Sequence, residues 1–388
     1  MAEQDNIRVI RAATASMSVS QFLKGQLHYL NTYFDVSAIA GDTTFIEEIE
    51  HREKVAVRHI SIQRPISIFR DIVSLIKLII YFRNEKPTIV HSLTPKAGLL
   101  CMLAGYVTRV PLRMHTFTGL LFPTKRGLMR HILIAMDTLT CTCATHIYPE
   151  GEGVKKDMML ANVTKKPLRV LGHGNINGVN LGHFTPESAS QVAERRRELD
   201  FGPDDTVFLF IGRLNSNKGI NELIVAFRKL ATENDNVHLL LAGDFEHKLD
   251  PLLPHTLSQI KEHDRIMHLG YRDDVKSLLS AADCLVLPSY REGFPNVVLE
   301  AGAMAKPSIV TDINGANEII RNDHNGWIIP PKDERALYKL LEHFLTCDSK
   351  QDIGQNALHH VTEYFSNEAI WLEVLKEYNA ALDTIKNS

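Results

Sequence analysis

Short β-branched runs alternate with longer amphipathic stretches along this chain, and the rhythm is played twice. Ile7–Ile10, Val36–Ala40, Val55–Ile60, Thr88–His91 and Leu112–His115 predict strands, with helical patterns such as Gln21–Asn31 and Ile68–Phe82 between them. Successive strands separated by helices pair in parallel, with the helices covering both faces of the sheet. A Gly- and Asn-rich segment, Leu171–Asn180 (LGHGNINGVN), reads as a hinge. Strands are then predicted at Val207–Ile211, Val237–Leu241, Cys284–Leu287, Ser308–Val310 and Trp327–Ile329. The expected class is α/β, with two doubly wound domains over residues 1–180 and 181–366. A last helix over Asn367–Ile385, within 367–388, is expected to pack back on the first domain. Ligands of such folds bind beyond the carboxyl ends of the strands, so a cleft between two such domains is the expected active site.

A length of 388 residues suits two cores better than one. The five cysteines are odd in number and include no Cys-x-x-Cys, so they predict buried thiols in a reducing compartment. Met1–Asn6 lacks the basic-then-apolar order of a signal peptide. No apolar run reaches bilayer length, and Ile72–Phe82, interrupted by Lys77, reads as a buried amphipathic helix. Charge is unevenly spread. Residues 1–180 carry 22 Lys and Arg against 14 Asp and Glu, and the remainder carries 21 against 32. No acid occurs from Lys86 to Met136, a span with seven basic residues. That is either a solvated basic face or a surface for something anionic, such as phosphate or a membrane. Nucleic acid is not expected, because aromatic interleaving is sparse and no nucleic-acid motif appears.

Two segments carry chemistry. In Ile211–Gly219 (IGRLNSNKG), Gly212 permits a sharp turn after a strand, and Arg213 and Lys218 project from the loop. Two cations there suit a diphosphate, although a capped loop with exposed cations would read the same. In Leu287–Ala301 (LPSYREGFPNVVLEA), a strand gives way to a helix near Pro295 or Asn296. Gly293 and the first helical amides make an anion site. Glu292 precedes that helix and Glu300 lies within it. Carboxylates accept hydrogen bonds from hydroxyls and can grip a polyol, the alternative being structural acids paired with Arg.

Gly212-Arg213-Leu214 with Lys218-Gly219, followed by Glu292 and Glu300, resembles family 4 of the retaining glycosyltransferases, which have the GT-B fold. Asn177–Asn180, Ala281-Ala282-Asp283, and Gly315 with Glu318 are similar to the same family. The second half is covered almost throughout, and the first half matches in layout. The resemblance implies two Rossmann-like domains facing a central cleft. It implies that Arg213 and Lys218 neutralise the donor diphosphate as it leaves, and that Glu300 holds the ribose hydroxyls. Glu292, with the backbone of Gly293, Phe294, Asn296 and Val297, would position the donor sugar and distal phosphate. Pro295 has no N–H to donate. The base would lie near Tyr271 and Arg272, on the loop after Ile266–Leu269. His115, at the carboxyl end of its strand, looks like the family's active-site histidine and would contact the donor sugar without acting as a base. The loop Thr14–Ser20 (TASMSVS) departs from the paired glycines of many members.

The reaction so implied moves a hexosyl or N-acetylhexosaminyl group from a UDP-sugar with retention, with no cofactor and no obligatory metal. The basic span points to a polyprenyl-diphosphate-linked sugar as acceptor, as in bacterial capsule, O-antigen or glycan assembly. Ser16, Ser18, Lys96 and Thr118 are the candidate acceptor contacts, with Lys96 meeting the acceptor diphosphate. Leu120–Leu133 mixes apolar and cationic residues as an interfacial segment does. The partners expected are thus a nucleotide sugar, a lipid-linked sugar and an anionic membrane surface. The expected location is cytoplasmic, peripheral at the inner face of the cytoplasmic membrane. The rival readings are a nucleotide-sugar 2-epimerase of the same fold, a glycosyltransferase with a soluble small-molecule acceptor, and a non-catalytic sugar-binding protein.

Overall fold

The computed structural model describes residues 7–63 and 67–386. The N-terminal stretch Met1–Asn6 lies outside the described residues. The chain divides into two compact units. Unit 1 comprises residues 1–177 together with 367–388, and unit 2 comprises residues 178–366.

Unit 1 is built on six strands: β1 (Arg8–Ala12), β2 (Asp35–Ala40), β3 (Ala56–His59), β4 (Ile89–Leu93), β5 (Leu112–Phe117) and β6 (His146–Pro149). They lie in the order β3-β2-β1-β4-β5-β6, all parallel. Alternate side chains of these strands feed two apolar layers. Val9, Val36, Ala38 and Ile89 belong to one; Ile10, Ile39 and Val90 belong to the other. Burial on both faces is what a parallel sheet between helices requires.

Unit 2 repeats the plan with β7 (Thr206–Ile211), β8 (Val237–Ala242), β9 (Ile266–Gly270), β10 (Cys284–Leu287), β11 (Ser308–Thr311) and β12 (Trp327–Ile329). Their order, β12-β11-β10-β7-β8-β9, is the same doubly wound order read from the other edge. In each sheet the winding reverses between the first and fourth strands, β1 with β4 and β7 with β10. Chain leaving the carboxyl ends of two such strands diverges to opposite faces and leaves a crevice.

Several elements depart from expectation. Thr14–Ser20 is not a loop, because a helix occupies Ser16–Phe22 and buries Ser16, Ser18 and Ser20. The helix expected over Gln21–Asn31 is broken at Gly25, whose φ of 76° lies in the left-handed region, and resumes as Gln26–Asn31. The helix Ile68–Glu85 is not the buried element expected. It buries Ser74, Leu78 and Phe82, and leaves Ile68, Phe69, Ile72, Val73, Ile76 and Ile80 exposed. All five cysteines are buried and free. The last helix, Asn367–Lys386, belongs to unit 1, where Tyr378 accepts from Arg11 (3.0 Å) and bonds His91 Nδ1 (2.7 Å), and Tyr148 donates to Glu377 (3.0 Å).

Candidate active site

The two motif loops of unit 2 emerge side by side, because β7 and β10 are the strands where the winding reverses. After β7, the Asn215 side chain accepts from the Lys218 N–H (3.0 Å) and tightens Ser216–Lys218 into a single 3₁₀ turn. Gly219 then adopts φ 71°; a Cβ there would fall 2.0 Å from the Pro288 carbonyl oxygen. Only glycine lets the two loops meet this closely. They are stitched by the Tyr290 N–H donating to the Asn217 carbonyl (2.8 Å) and by the Tyr290 hydroxyl donating to Glu222 (2.5 Å).

The consequence is a direct ion pair. Lys218 Nζ donates to Glu292 Oε1, across 74 residues of sequence, with both side chains largely buried at 23% and 14% exposure. Arg213, on the same loop as Lys218, is 70% exposed and lies 4.0 Å from Glu246. The backbone N–H groups of Lys248 and Leu249 hold Glu246 below the usual carboxylate range, so it stays ionised near Arg213.

Beyond Glu292 the chain passes beneath Gly315, whose φ is 76° and whose added Cβ would lie 2.2 Å from the Gly293 carbonyl oxygen. Glu318 accepts from the Gly315 N–H (3.1 Å) and fixes that turn. Phe294 turns its ring into the core, 5.6 Å from Phe365, so only its backbone is available to a ligand. Pro295 caps the helix Asn296–Ala303, which carries Val297 in its first turn and Glu300 beyond it. Tyr271 is exposed after β9, and Arg272 is engaged by Asp274 through a two-point contact (2.7 and 2.5 Å). The structure thus brings Gly212, Lys218, Glu292 and Gly293 together in two touching loops and leaves Tyr271 and Arg272 on a separate segment two strands away. Gly243 is a contributor the sequence reasoning missed. It adopts φ 143° where a Cβ would lie 1.9 Å from the Gly212 carbonyl oxygen. Its place directly after β8 was the available signal.

In unit 1 several expectations need correction. His115 does not end its strand; β5 continues to Phe117, and the ring is 1% exposed. Its Nδ1 bonds the Ser92 hydroxyl (2.9 Å), and burial drives its pKa to about 3, so it is neutral. Ser16 is fully buried, with its backbone N–H and hydroxyl both spent on Asp42. Lys96 is not a free cation. It is 6% exposed and paired with Asp71 at 2.8 Å. Thr118 is half-buried beyond the end of β5. Ser18 and Lys96, together with Thr14, Thr94 and Gly119, line a cavity of about 370 Å³ at the carboxyl ends of β1, β4 and β5. The wall is completed by apolar side chains and by Asp137, which the sequence reasoning did not single out.

The family model "Glycosyl transferases group 1" matches residues 191–360. The chain is 30% identical over 380 residues to the capsular polysaccharide biosynthesis glycosyltransferase CapM of Staphylococcus aureus, covering 97% of this chain and 98% of the relative. It is 28% identical over 307 residues to the UDP-Gal:alpha-D-GlcNAc-diphosphoundecaprenol alpha-1,3-galactosyltransferase of Escherichia coli, covering 78% of each. The crystal structure of Anabaena HepE in complex with UDP and glucose superposes with a TM-score of 0.79 at 17% identity, over 96% of this chain and all of that one. That likeness shows the GT-B fold.

Proposed function

The chain belongs to the group 1 glycosyl transferases, and from that premise we propose that it moves a hexosyl or N-acetylhexosaminyl group from a UDP-sugar to a polyprenyl-diphosphate-linked sugar, with retention, in surface polysaccharide assembly. The observation that carries the donor side is the Lys218–Glu292 contact where the winding of unit 2 reverses. An ammonium has three donor hydrogens, so Lys218 can keep Glu292 and still meet a phosphate oxygen. Arg213, exposed on the same loop, supplies a planar fork to the same diphosphate. The amides of Phe294, Asn296 and Val297 face the distal phosphate in this reading, Glu292 accepts from hydroxyls of the transferred sugar, and Glu300 accepts from those of the ribose. Tyr271 and Arg272 flank the base.

The acceptor hydroxyl attacks the anomeric carbon as the bond to the diphosphate oxygen breaks, and its proton passes to the leaving diphosphate. Arg213 and Lys218 act where negative charge grows, which is where fixed cations lower a barrier most. They and the helix start would meet that charge without an obligatory metal. His115, buried and neutral, is too weakly basic to take a proton.

Two relatives support the acceptor side. The name of one places it in capsular polysaccharide biosynthesis, and that of the other specifies a sugar on diphosphoundecaprenol. No helix among the described residues is long and apolar enough to cross a membrane. The exposed apolar face of Ile68–Glu85, together with Leu121, Leu128 and Met129 beside Lys125 and Arg126, suits a peripheral seat on an anionic bilayer. The test is UDP release across a panel of nucleotide sugars, with and without a polyprenyl-diphosphate sugar and with and without EDTA. Acceptor-dependent release from one UDP-sugar, unchanged by EDTA, is expected. Release that never depends on the acceptor, or that EDTA abolishes, contradicts the proposal.

A further inference from the structure

The cavity of unit 1 sits where the winding reverses between β1 and β4, the place where an open α/β sheet receives its ligand. Its walls are mostly apolar, from Phe22, Pro95, Leu121, Leu133 and Met136. At its rim Thr94 holds φ 65°, a backbone state that a β-branched residue adopts at a cost, and its hydroxyl is tied to that of Thr14 at 2.7 Å. One charged group in the wall is spent, because Lys96 is neutralised by Asp71. The other is not. Asp137, on the helix Gly127–Cys143, is 8% exposed and lines the cavity with no hydrogen bond or ion pair among the described residues.

A buried carboxyl without a partner costs free energy unless a ligand supplies the donor. With Lys96 engaged by Asp71, the lining offers a diphosphate no unspent cation, and its mostly apolar wall with one carboxyl suits a neutral molecule with apolar faces and hydroxyl donors. We propose that this cavity holds the sugar end of the acceptor rather than its diphosphate, and that Asp137 is a specificity-determining residue that accepts a hydrogen bond from an acceptor hydroxyl. This rests on the glycosyl-transfer reading above and corrects the expected pairing of Lys96 with a diphosphate.

Burial raises the Asp137 pKa to about 7. Around it, Cys141 on its own helix and Cys101 on the packed helix Pro95–Val107 are pushed up to about 12, and His115 on β5 is driven to about 3. Lys96 and Arg113 on the same neighbours are cations, and Arg130 and His131 lie on the helix's more exposed turns. Acceptor binding by the carboxylate therefore strengthens as pH rises through about 7.

The experiment compares wild type with Asp137→Asn, which keeps shape and one acceptor oxygen, and with Asp137→Leu. Two acceptors are used, a polyprenyl-diphosphate sugar and the octyl glycoside of the same sugar. For Asp137→Asn at pH 8, acceptor kcat/KM is expected to fall about tenfold on both acceptors, with donor KM little changed. The rise of wild-type acceptor kcat/KM between pH 6 and pH 8 should flatten in this variant. Asp137→Leu should lose more, while a retained thermal transition shows that it folds. An Asp137→Asn variant with unchanged acceptor kcat/KM, or with improved use of the diphosphate acceptor alone, overturns the assignment. A wild type that uses the octyl glycoside but not the diphosphate acceptor overturns the lipid-linked reading and leaves Asp137 to be judged on the glycoside.

Discussion

Asp137 and His115 lie in the same unit, are both buried, and load stability with pH in opposite senses. Asp137 rises from an ordinary 3.8 to about 7, so the folded chain keeps a proton that the unfolded chain releases. Its contribution is intact below about pH 4 and is lost as pH climbs through about 7. His115 falls from 6.5 to about 3, so the unfolded chain takes up a proton that the folded chain refuses, and stability drops as pH falls below 6.5. Thermal unfolding of Asp137→Asn should show a gain on the order of 3 kcal/mol at pH 8 that vanishes near pH 4. A gain independent of pH would mean that the carboxyl is not held protonated by burial. The meeting of the Gly212–Lys218 loop with Glu292 was legible in the sequence because its signals are local: glycine beside cations, an acid before a helix start. Ser16 and Lys96 were misjudged because what disarms them, Asp42 and Asp71, lies 26 and 25 residues away in sequence. Asp137 was passed over because one acid in a helix reads as a surface residue. The available signal was that it ends the acid-free span, with Leu133 and Met136 on the turn before it.

At the scale of elements, the donor loops depend on backbone passing close to backbone. Gly315→Ala combines a left-handed φ with a Cβ at 2.2 Å from the Gly293 carbonyl, an atom that moves only with its loop. It should cost roughly 2 kcal/mol or more of stability and weaken UDP binding, read by thermal unfolding and calorimetric titration. Gly127→Ala shares a positive φ of 57° but meets nothing within 4 Å, so it should cost about 1 kcal/mol and leave UDP affinity alone. Equal effects would remove the close approach as their cause. The ten strands expected from β-branched runs are all present, because strands buried on both faces announce themselves as apolar runs. Two further strands, His146–Pro149 and Ile266–Gly270, were not among those ten; each is an edge strand that pairs on one side only, with β5 and β8 respectively. The helix Ile68–Glu85 misled for a tertiary reason. Its apolar residues surround it, and only packing decides which face is covered.

At the scale of the whole molecule, the chain uses one doubly wound plan twice and places a distinct side-chain cluster at the same topological point of each copy. In unit 2 that point holds charge, Lys218 against Glu292; in unit 1 it holds an apolar cavity with one unanswered carboxyl. The division follows the proposed chemistry, since a leaving diphosphate needs cations and an incoming neutral sugar does not. The central claim is that the two carboxylates of unit 2 serve different parts of the donor, and steady-state transfer by Glu292→Gln and Glu300→Gln tests it most directly. Glu292→Gln should lower kcat about a hundredfold, because it acts on the sugar as charge develops, while Glu300→Gln should raise the donor KM about tenfold and leave kcat nearly unchanged. Transfer by Glu292→Gln at the wild-type kcat and donor KM would contradict the account.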